Sequence, residues 1–220
     1  MNRDLANMRR VYAANDLAEA NAGNCPFALF ERWMAEAAQT ETLDPNAMTL
    51  ATVDATGQPK ARTVLLKGFS KTLGCVFYTN YNSDKGQELA NNARCSLLFW
   101  WELLERQVRV EGYVQKLSEA ESDQYYTSRP RESQLGAWVS EQSQVIASRN
   151  VLNEREASVA KQYAGLEALP RPPHWGGYQV VPTSIEFWQG QPSRLHDRLR
   201  FTLNNKENQE NQWVRERLAP

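Results

Sequence analysis

Histidine is scarce and cysteine is odd in number, and both shortages narrow what the chain can do. Only His174 and His196 occur, and acidic residues do not cluster at ligand spacing, so no catalytic metal site is expected. Cys25, Cys75 and Cys95 fit neither a disulfide framework nor a zinc knuckle, which points to a reducing compartment. The longest apolar runs, such as Leu97 to Trp101, are far too short to span a bilayer. The opening stretch, Met1 to Arg10, lacks the apolar segment of a signal peptide, and a cytoplasmic location is expected. There is no GxGxxG and no Walker sequence, so a bound phosphate must rely on side chains and isolated helix ends. Nor does one sign of charge prevail: a net charge of −1 gives no long-range pull toward nucleic acid or an anionic membrane.

What is present is an ordinary soluble composition, 41% hydrophobic and 23% charged, in a chain long enough to bury roughly 70% of its extended surface. No linker divides it. Residues 1–220 are therefore read as one domain, with 1–22 as a mobile N-terminal arm of weakly amphipathic, helical character. A firmer helix follows, where Phe27, Phe30, Trp33, Met34 and Ala37 recur at helical spacing until Asp44-Pro45. From Met48 the pattern is that of strands. Met48 to Asp54 and Ala61 to Lys67 flank a turn-rich Ala-Thr-Gly-Gln-Pro, and Cys75 to Thr79 is a third.

Ser83 or Asp84 is a candidate cap for a helix reaching about Asn91. Strands resume at Arg94 to Trp101 and Arg106 to Gln115. In the second of these, Val108, Val110, Gly112 and Val114 share one face, and Gln107, Arg109, Glu111 and Tyr113 the other. Ser118 opens a helix with a capping-box pattern, Pro130 ends it, and a short helix precedes a longer one at Ser148 to Tyr163. Gly177 to Val181, Ser184 to Gln189, Arg194 to Leu203 and Gln212 to Arg217 read as strands, with Asn204 to Asn211 a polar loop. Strands at both ends with helices between them predict a mainly β fold, a small barrel surrounded by helices.

Three clusters carry possible chemistry. If Arg194 onward is extended, Arg194, His196 and Arg198 project from one face, about 6.5–7 Å apart, with Leu195 and Leu199 opposite. That row is either a charged edge that discourages aggregation or a seat for an anion. Trp188 just upstream tilts the reading toward an aromatic anionic ligand. Tyr125, Arg129 and Ser133, spaced by four, offer three kinds of donor to a phosphate, although arginines at a helix C-terminus also simply complement its dipole. The third cluster joins Arg62, Lys67, Tyr78, Thr79 and Lys85. A cation in a first helical turn is unfavourable on its own, and a bound phosphate there would explain Lys85. Arg62 and Lys67 have opposite parity on an ideal strand. Gln107 is either a surface glutamine or an amide reading a ring edge; spacing does not choose.

Taken together these segments resemble the pyridoxamine 5'-phosphate oxidase family. The motifs are RTVLLK (62–67), FYTN (77–80), LERQVRV (104–110), SRPRESQLGAWVS (128–140), EFWQG (186–190), RLHDR (194–198) and RLAP (217–220), in the family's order over about Leu29 to Pro220. The resemblance implies an FMN-binding split β-barrel, a homodimer with FMN at the subunit interface. It implies that Arg62, Lys67, Tyr78, Thr79, Lys85, Gln107, Gln142, Ser143, Trp188 and Arg198 hold FMN. It further implies that Lys67, Tyr125, Arg129 and Ser133 meet the substrate phosphate, and that Arg194 and His196 lie against the reacting ring as catalytic groups. One departure stands out: the family commonly reads Ser-Arg-Lys where this chain has Ser83-Asp84-Lys85. A carboxylate there implies either weaker FMN retention or an Asp84 turned away from the phosphate.

The implied chemistry is oxidation of pyridoxine or pyridoxamine 5'-phosphate to pyridoxal 5'-phosphate. Hydride passes from the 4' carbon to flavin N5, and dioxygen reoxidises the flavin to give hydrogen peroxide. Arg194 is expected to clamp the substrate, and His196 to orient it or take a proton. Arg9, Arg10 and Tyr12 resemble a family stretch that can cover the site, against the plainer reading of a solvated arm. Competing readings are an oxidase of a phenazine-type precursor, a non-catalytic FMN or pyridoxal-phosphate binder, and a nicotinamide-dependent flavin reductase, for which no cofactor motif exists.

Overall fold

The computed structural model describes residues 11–12, 15–204 and 212–220. After a single turn, α1 (Glu19–Ala22), Pro26 opens α2 (Pro26–Ala38), at a position where its missing N–H leaves no helical bond unmade. Then come β1 (Ala47–Val53), β2 (Pro59–Leu65), β3 (Gly68–Ser70), β4 (Gly74–Asn80), α3 (Asp84–Asn91), β5 (Arg94–Trp101) and β6 (Arg106–Lys116). Three helices follow, α4 (Glu119–Ser128), α5 (Arg131–Val139) and α6 (Arg149–Gln162), and the chain closes with β7 (Trp175–Gln189), β8 (Asp197–Asn204) and β9 (Gln212–Arg217). Hydrogen-bonded neighbours run β2-β1-β5-β6-β7-β4-β3, with β8 joining β7 and β9. The mainly β class with helices around it is thus borne out. Among the described residues no helix is long and apolar enough to cross a membrane.

Contacts divide the chain into two compact units. The first takes the residues up to Leu50 with Ser96–Gly112 and Pro182–Pro220; the second takes Ala51–Cys95 and Tyr113–Val181. β1, β5, β6 and β7 each contribute residues to both. In the first unit, Phe27, Phe30, Trp33 and Ala37 of α2 are buried, as their helical spacing requires. Phe30 meets Phe99 edge-on at 5.0 Å and Trp33 meets Phe187 at 5.3 Å. Each such buried aromatic contributes about 2 kcal/mol by area alone. In the second unit, Cys75, Phe77, Tyr178 and Val180 form one buried layer, and Tyr126, Ala137, Leu169 and Trp175 a second. Burial pushes the Cys95 thiol up to about 12 and the Cys75 thiol higher still, so neither is a nucleophile.

β7 is one strand where two were expected. It pairs with β4 from Trp175 to Val180 and with β8 from Ser184 to Gln189. Pro182 sits in the gap between these partners, where its lack of an N–H does not interrupt a ladder. The helix expected over the first twenty residues is not formed at 15–18; there Leu17 is buried and its N–H donates to Asp197 at 3.2 Å. The loop expected at 204–211 begins where β8 ends at Asn204, and 205–211 lie outside the described residues.

The larger correction concerns the row at 194–198. β8 begins only at Asp197, after a short turn at Pro192–Arg194 in which Ser193 and Arg194 adopt φ of 57° and 62°. Arg194 and His196 therefore precede the strand, and the shared extended face with Arg198 does not exist. Leu195 confirms it: 70% exposed, whereas Leu199 is fully buried. Lys67 likewise lies beyond the end of β2, so the parity conflict with Arg62 does not arise.

Candidate active site

A cavity of about 570 Å³ lies within the second unit. Its walls come from the residues around the end of β2, from β4, from the first turn of α3, from the corner between α4 and α5, and from the start of β7. β4 alternates, burying Phe77 and turning Tyr78 the other way. Opposite Tyr78 the ladder has Gly177, where a Cβ would come within 2.8 Å of the Tyr78 ring. Glycine is what lets that ring lie down on the strand. Tyr78 stacks on Tyr125 at 3.8 Å and on Trp175 at 5.5 Å, with interplanar angles of 15° and 12°. Burial raises the Tyr78 phenol above its ordinary value, and the neighbouring Tyr125 adds to it.

The α4–α5 corner is built to hold Arg129. Ser118 caps α4 with the anticipated capping box, and the helix ends at Ser128 with Arg129 already extended before Pro130. Buried Gln134 donates to the carbonyls of Arg129 at 2.8 Å and Thr127 at 3.3 Å, while the Tyr126 hydroxyl donates to the Gln134 carbonyl at 2.8 Å. Ser133, in the first turn of α5, faces the same cavity as Tyr125 and Arg129. The Arg129 guanidinium lies 4.5 Å over Trp175 and 5.8 Å over Tyr126, and its Nη1 is buried without a hydrogen-bond partner. Burial lowers its pKa, the signature of a cation short of solvent and counter-charge.

At α3, Ser83 accepts from the Gly86 N–H, the expected cap. Lys85 donates to Gln142 Oε1 at 2.8 Å, and Thr79 donates to the same oxygen at 3.4 Å. Burial first, and then the Arg62 charge, lower the Lys85 pKa. Among the described residues, Lys67, Lys85 and Arg129 have no carboxylate within ion-pair distance. Arg62 does not line the cavity; it pairs with Glu88 at 2.6 Å and also donates to Thr52. Ser143 is exposed and outside the lining, accepting from the Asp84 N–H at 3.2 Å, and the Asp84 side chain is likewise exposed and outside the lining. Eight of the anticipated residues thus share one cavity: Lys67, Tyr78, Thr79, Lys85, Tyr125, Arg129, Ser133 and Gln142.

Gln107, Trp188, Arg194, His196 and Arg198 belong to the first unit. His196 packs 4.5 Å from Trp188, and Tyr12 meets both rings edge-on. The Gln191 N–H donates to His196 Nδ1 at 3.1 Å. With Nδ1 an acceptor, the neutral ring carries its proton on Nε2. Arg198 donates through Nε to Glu186 at 2.9 Å and through Nη1 to the Ala219 carbonyl at 2.9 Å. Arg194 is exposed, and Gln107 lies on the half-exposed polar face of β6, as its alternation predicts. Arg9 and Arg10 lie outside the described residues. Sequence reasoning missed Trp175. Its signal was the Trp-Gly-Gly run after a Pro-rich segment: one large ring followed by two residues that leave room for others.

Known proteins resemble the chain over its whole length. The family model described as pyridoxamine 5'-phosphate oxidase matches residues 34–162, and one described as the pyridoxine 5'-phosphate oxidase C-terminal dimerisation region matches 175–220. Proteins named pyridoxine/pyridoxamine 5'-phosphate oxidase from Gloeothece citriformis and Chromohalobacter salexigens are each 51% identical over 220 residues, covering 100% of both chains. A solved structure of PhzG from Burkholderia lata 383, in complex with tetrahydrophenazine-1-carboxylic acid, superposes with a TM-score of 0.84 at 28% identity. That likeness covers 94% of this chain and 100% of that one. An FMN-binding, pyridoxamine 5'-phosphate oxidase-related protein from Nostoc punctiforme, at 15% identity and a TM-score of 0.69 over 90% of this chain and 100% of its own, shares the fold.

Proposed function

The chain belongs to the pyridoxamine 5'-phosphate oxidase family, and from that premise we infer that it oxidises pyridoxine 5'-phosphate or pyridoxamine 5'-phosphate to pyridoxal 5'-phosphate. The observation that carries this reading to the molecule is the buried, unpartnered Arg129 Nη1 in a cavity also lined by Lys67, Tyr125 and Ser133. Phosphate is the natural occupant for that donor set, because a dianion satisfies the orphaned donor and neutralises two cations at once.

FMN is the cofactor of this reading. The residues fit it: Lys85 lies in the first turn of α3 beside Gln142 and Thr79 and within reach of the Arg62 charge, a place where a second phosphate is favoured. Arg62, Lys67, Tyr78, Thr79, Lys85, Gln107, Gln142, Ser143, Trp188 and Arg198 are the residues assigned to hold it. When bound, FMN supplies the hydride acceptor, and dioxygen regenerates it with release of hydrogen peroxide. The alcohol gives aldehyde directly; the amine takes up water and also releases ammonia.

The protein's part is binding and orientation. Lys67, Tyr125, Arg129 and Ser133 anchor the substrate phosphate. Arg194 clamps the ring and polarises its 4' substituent, and His196, with Nε2 carrying the proton, orients it. The working form of this reading is a single domain, since four strands belong to both units, acting as a homodimer with FMN at the interface. The match of residues 175–220 to a dimerisation region supports the dimer. A cytoplasmic setting accords with three free cysteines.

The test is a visible spectrum of the purified protein, then pyridoxine 5'-phosphate in air without added nicotinamide cofactor. Equal yields of aldehyde and peroxide are expected. A yellow protein with no turnover would instead favour oxidation of a phenazine-type ring, the reading that the likeness to PhzG supports at 28% identity, or a binding role without catalysis.

A further inference from the structure

Among the described residues, most arginines that are tied down end on a carboxylate or a backbone carbonyl; Arg129 ends on a ring. Its guanidinium carbon sits 4.5 Å over the face of Trp175. Among the described residues no carboxylate pairs with it, and Nη1 is buried with no partner. A carboxylate seat would orient the guanidinium equally well, but it would occupy the donors and neutralise the charge that an incoming anion needs. An aromatic face holds the cation by its quadrupole and takes no N–H from it. Trp175 does this from a fixed position. It is 7% exposed, pairs with Asn80 across the ladder, and lies parallel to both Tyr78 and Tyr125, at interplanar angles of 12° and 4°. The same ring therefore orders the phenol and the guanidinium that line the cavity together.

We propose that Trp175 is a positioning residue: its ring seats Arg129, and aligns Tyr125 beside it, so that the cavity recognises the substrate by its phosphate while the arginine's donors stay free. The proposal rests on the phosphate-binding reading of this cavity. Trp175 itself donates nothing to the phosphate; it acts through Arg129.

Trp175→Leu and Trp175→Phe test it, each assayed for KM and kcat with pyridoxine 5'-phosphate, for inhibition by inorganic phosphate, and for FMN retention by flavin fluorescence. Trp175→Leu is expected to raise KM and the phosphate inhibition constant together, by roughly 10-fold, between the sizes of an exposed and a fully desolvated cation–π contact. Its kcat and its FMN affinity should move far less. Trp175→Phe, which keeps a smaller π face, should recover about half of the loss on a logarithmic scale and stay measurably weaker than the native protein. Unchanged KM and phosphate inhibition in Trp175→Leu overturns the proposal, and so does a parallel fall of kcat, FMN affinity and phosphate affinity, which marks a collapsed cavity. If Trp175→Leu does not fold, Trp175→Phe decides: a phosphate affinity equal to the native one rejects the seat. Arg129→Ala separates this from the underlying reading. Should it leave phosphate inhibition and KM unaltered, the phosphate site itself is wrong; should it weaken both while Trp175→Leu does not, only the seat is.

Discussion

Five arginines of the first unit, Arg106, Arg109, Arg198, Arg200 and Arg217, end on carboxylates, whereas the three cations lining the cavity of the second unit end, among the described residues, on none. Glu186, 3% exposed, takes both Arg109 at 2.7 Å and Arg198 at 2.9 Å. Arg217 takes Glu19 at 2.6 Å and Asp197 at 2.6 Å. In these networks the charge is compensated by the fold itself, and its loss is felt in stability. In the cavity the charge is left over. Desolvation lowers the pKa of Lys85 and Arg129, and an anion in the cavity would favour their charged forms. Arg109, Arg200 and Arg217 are neutralised by the fold, whereas Lys67, Lys85 and Arg129 are left for a ligand.

Four substitutions bear on this contrast. The largest effect is expected from Glu186→Ala, which leaves two arginines around a buried vacancy and should cost about 3 kcal/mol of unfolding free energy in urea. A loss below about 1 kcal/mol would remove the contrast, because the network would then not be structural. Arg194 sharpens it from the other side: in the first unit but exposed and, among the described residues, without a carboxylate, it should behave like a cavity cation. Arg194→Leu is expected to lower kcat on the order of 100-fold, the scale of a lost orienting contact, with little change in FMN retention or stability. Equal loss of turnover and flavin would reject that division of roles.

Asp84 adds an acid beside the cavity's Lys85 but is itself exposed and outside the lining. Asp84→Arg should therefore tighten FMN only about two- to five-fold, as exposed charges do, read by quenching of flavin fluorescence. No change would mean that Asp84 is turned fully away; a gain of 100-fold or more would mean that the carboxylate reaches the phosphate. The smallest effect is a pH slope. The Arg217 hydrogen bond lowers the exposed Glu19 carboxyl from 4.5 to about 2. A depressed folded-state pKa stabilises above the unfolded value, and that contribution is lost as pH falls from about 4.5 through about 2. Glu19→Gln should flatten the acid limb of the stability curve across that window and nowhere else. An unchanged limb would show that this clamp carries no linked proton.

How much of this was legible beforehand differs by element. The alternation of Val108, Val110, Gly112 and Val114 on β6, the Ser118 capping box and the Ser83 cap were all readable from residues within one or two turns of each other. So were Tyr125, Arg129 and Ser133, because a helix end, a proline and a second helix start are local events and the cavity uses all three. The row at 194–198 was misread for another reason: Gly190, Pro192 and Ser193 announce a turn just upstream, but Ser193 and Arg194 have no strong intrinsic preference for positive φ, so how far the turn runs before the strand begins is not written locally. Trp175 escaped because its partners, Arg129 and Tyr78, are 46 and 97 residues away.

The sequence by itself determined the class of fold, the family, the helix caps and the set of cations available to a phosphate. These follow from periodicity, capping chemistry and ordered motifs, all short-range along the chain. Only the tertiary structure decided which cations are neutralised by carboxylates and which are held over a ring with donors free. That depends on strand register and on side chains brought together from distant positions, and no local pattern encodes the distance between them.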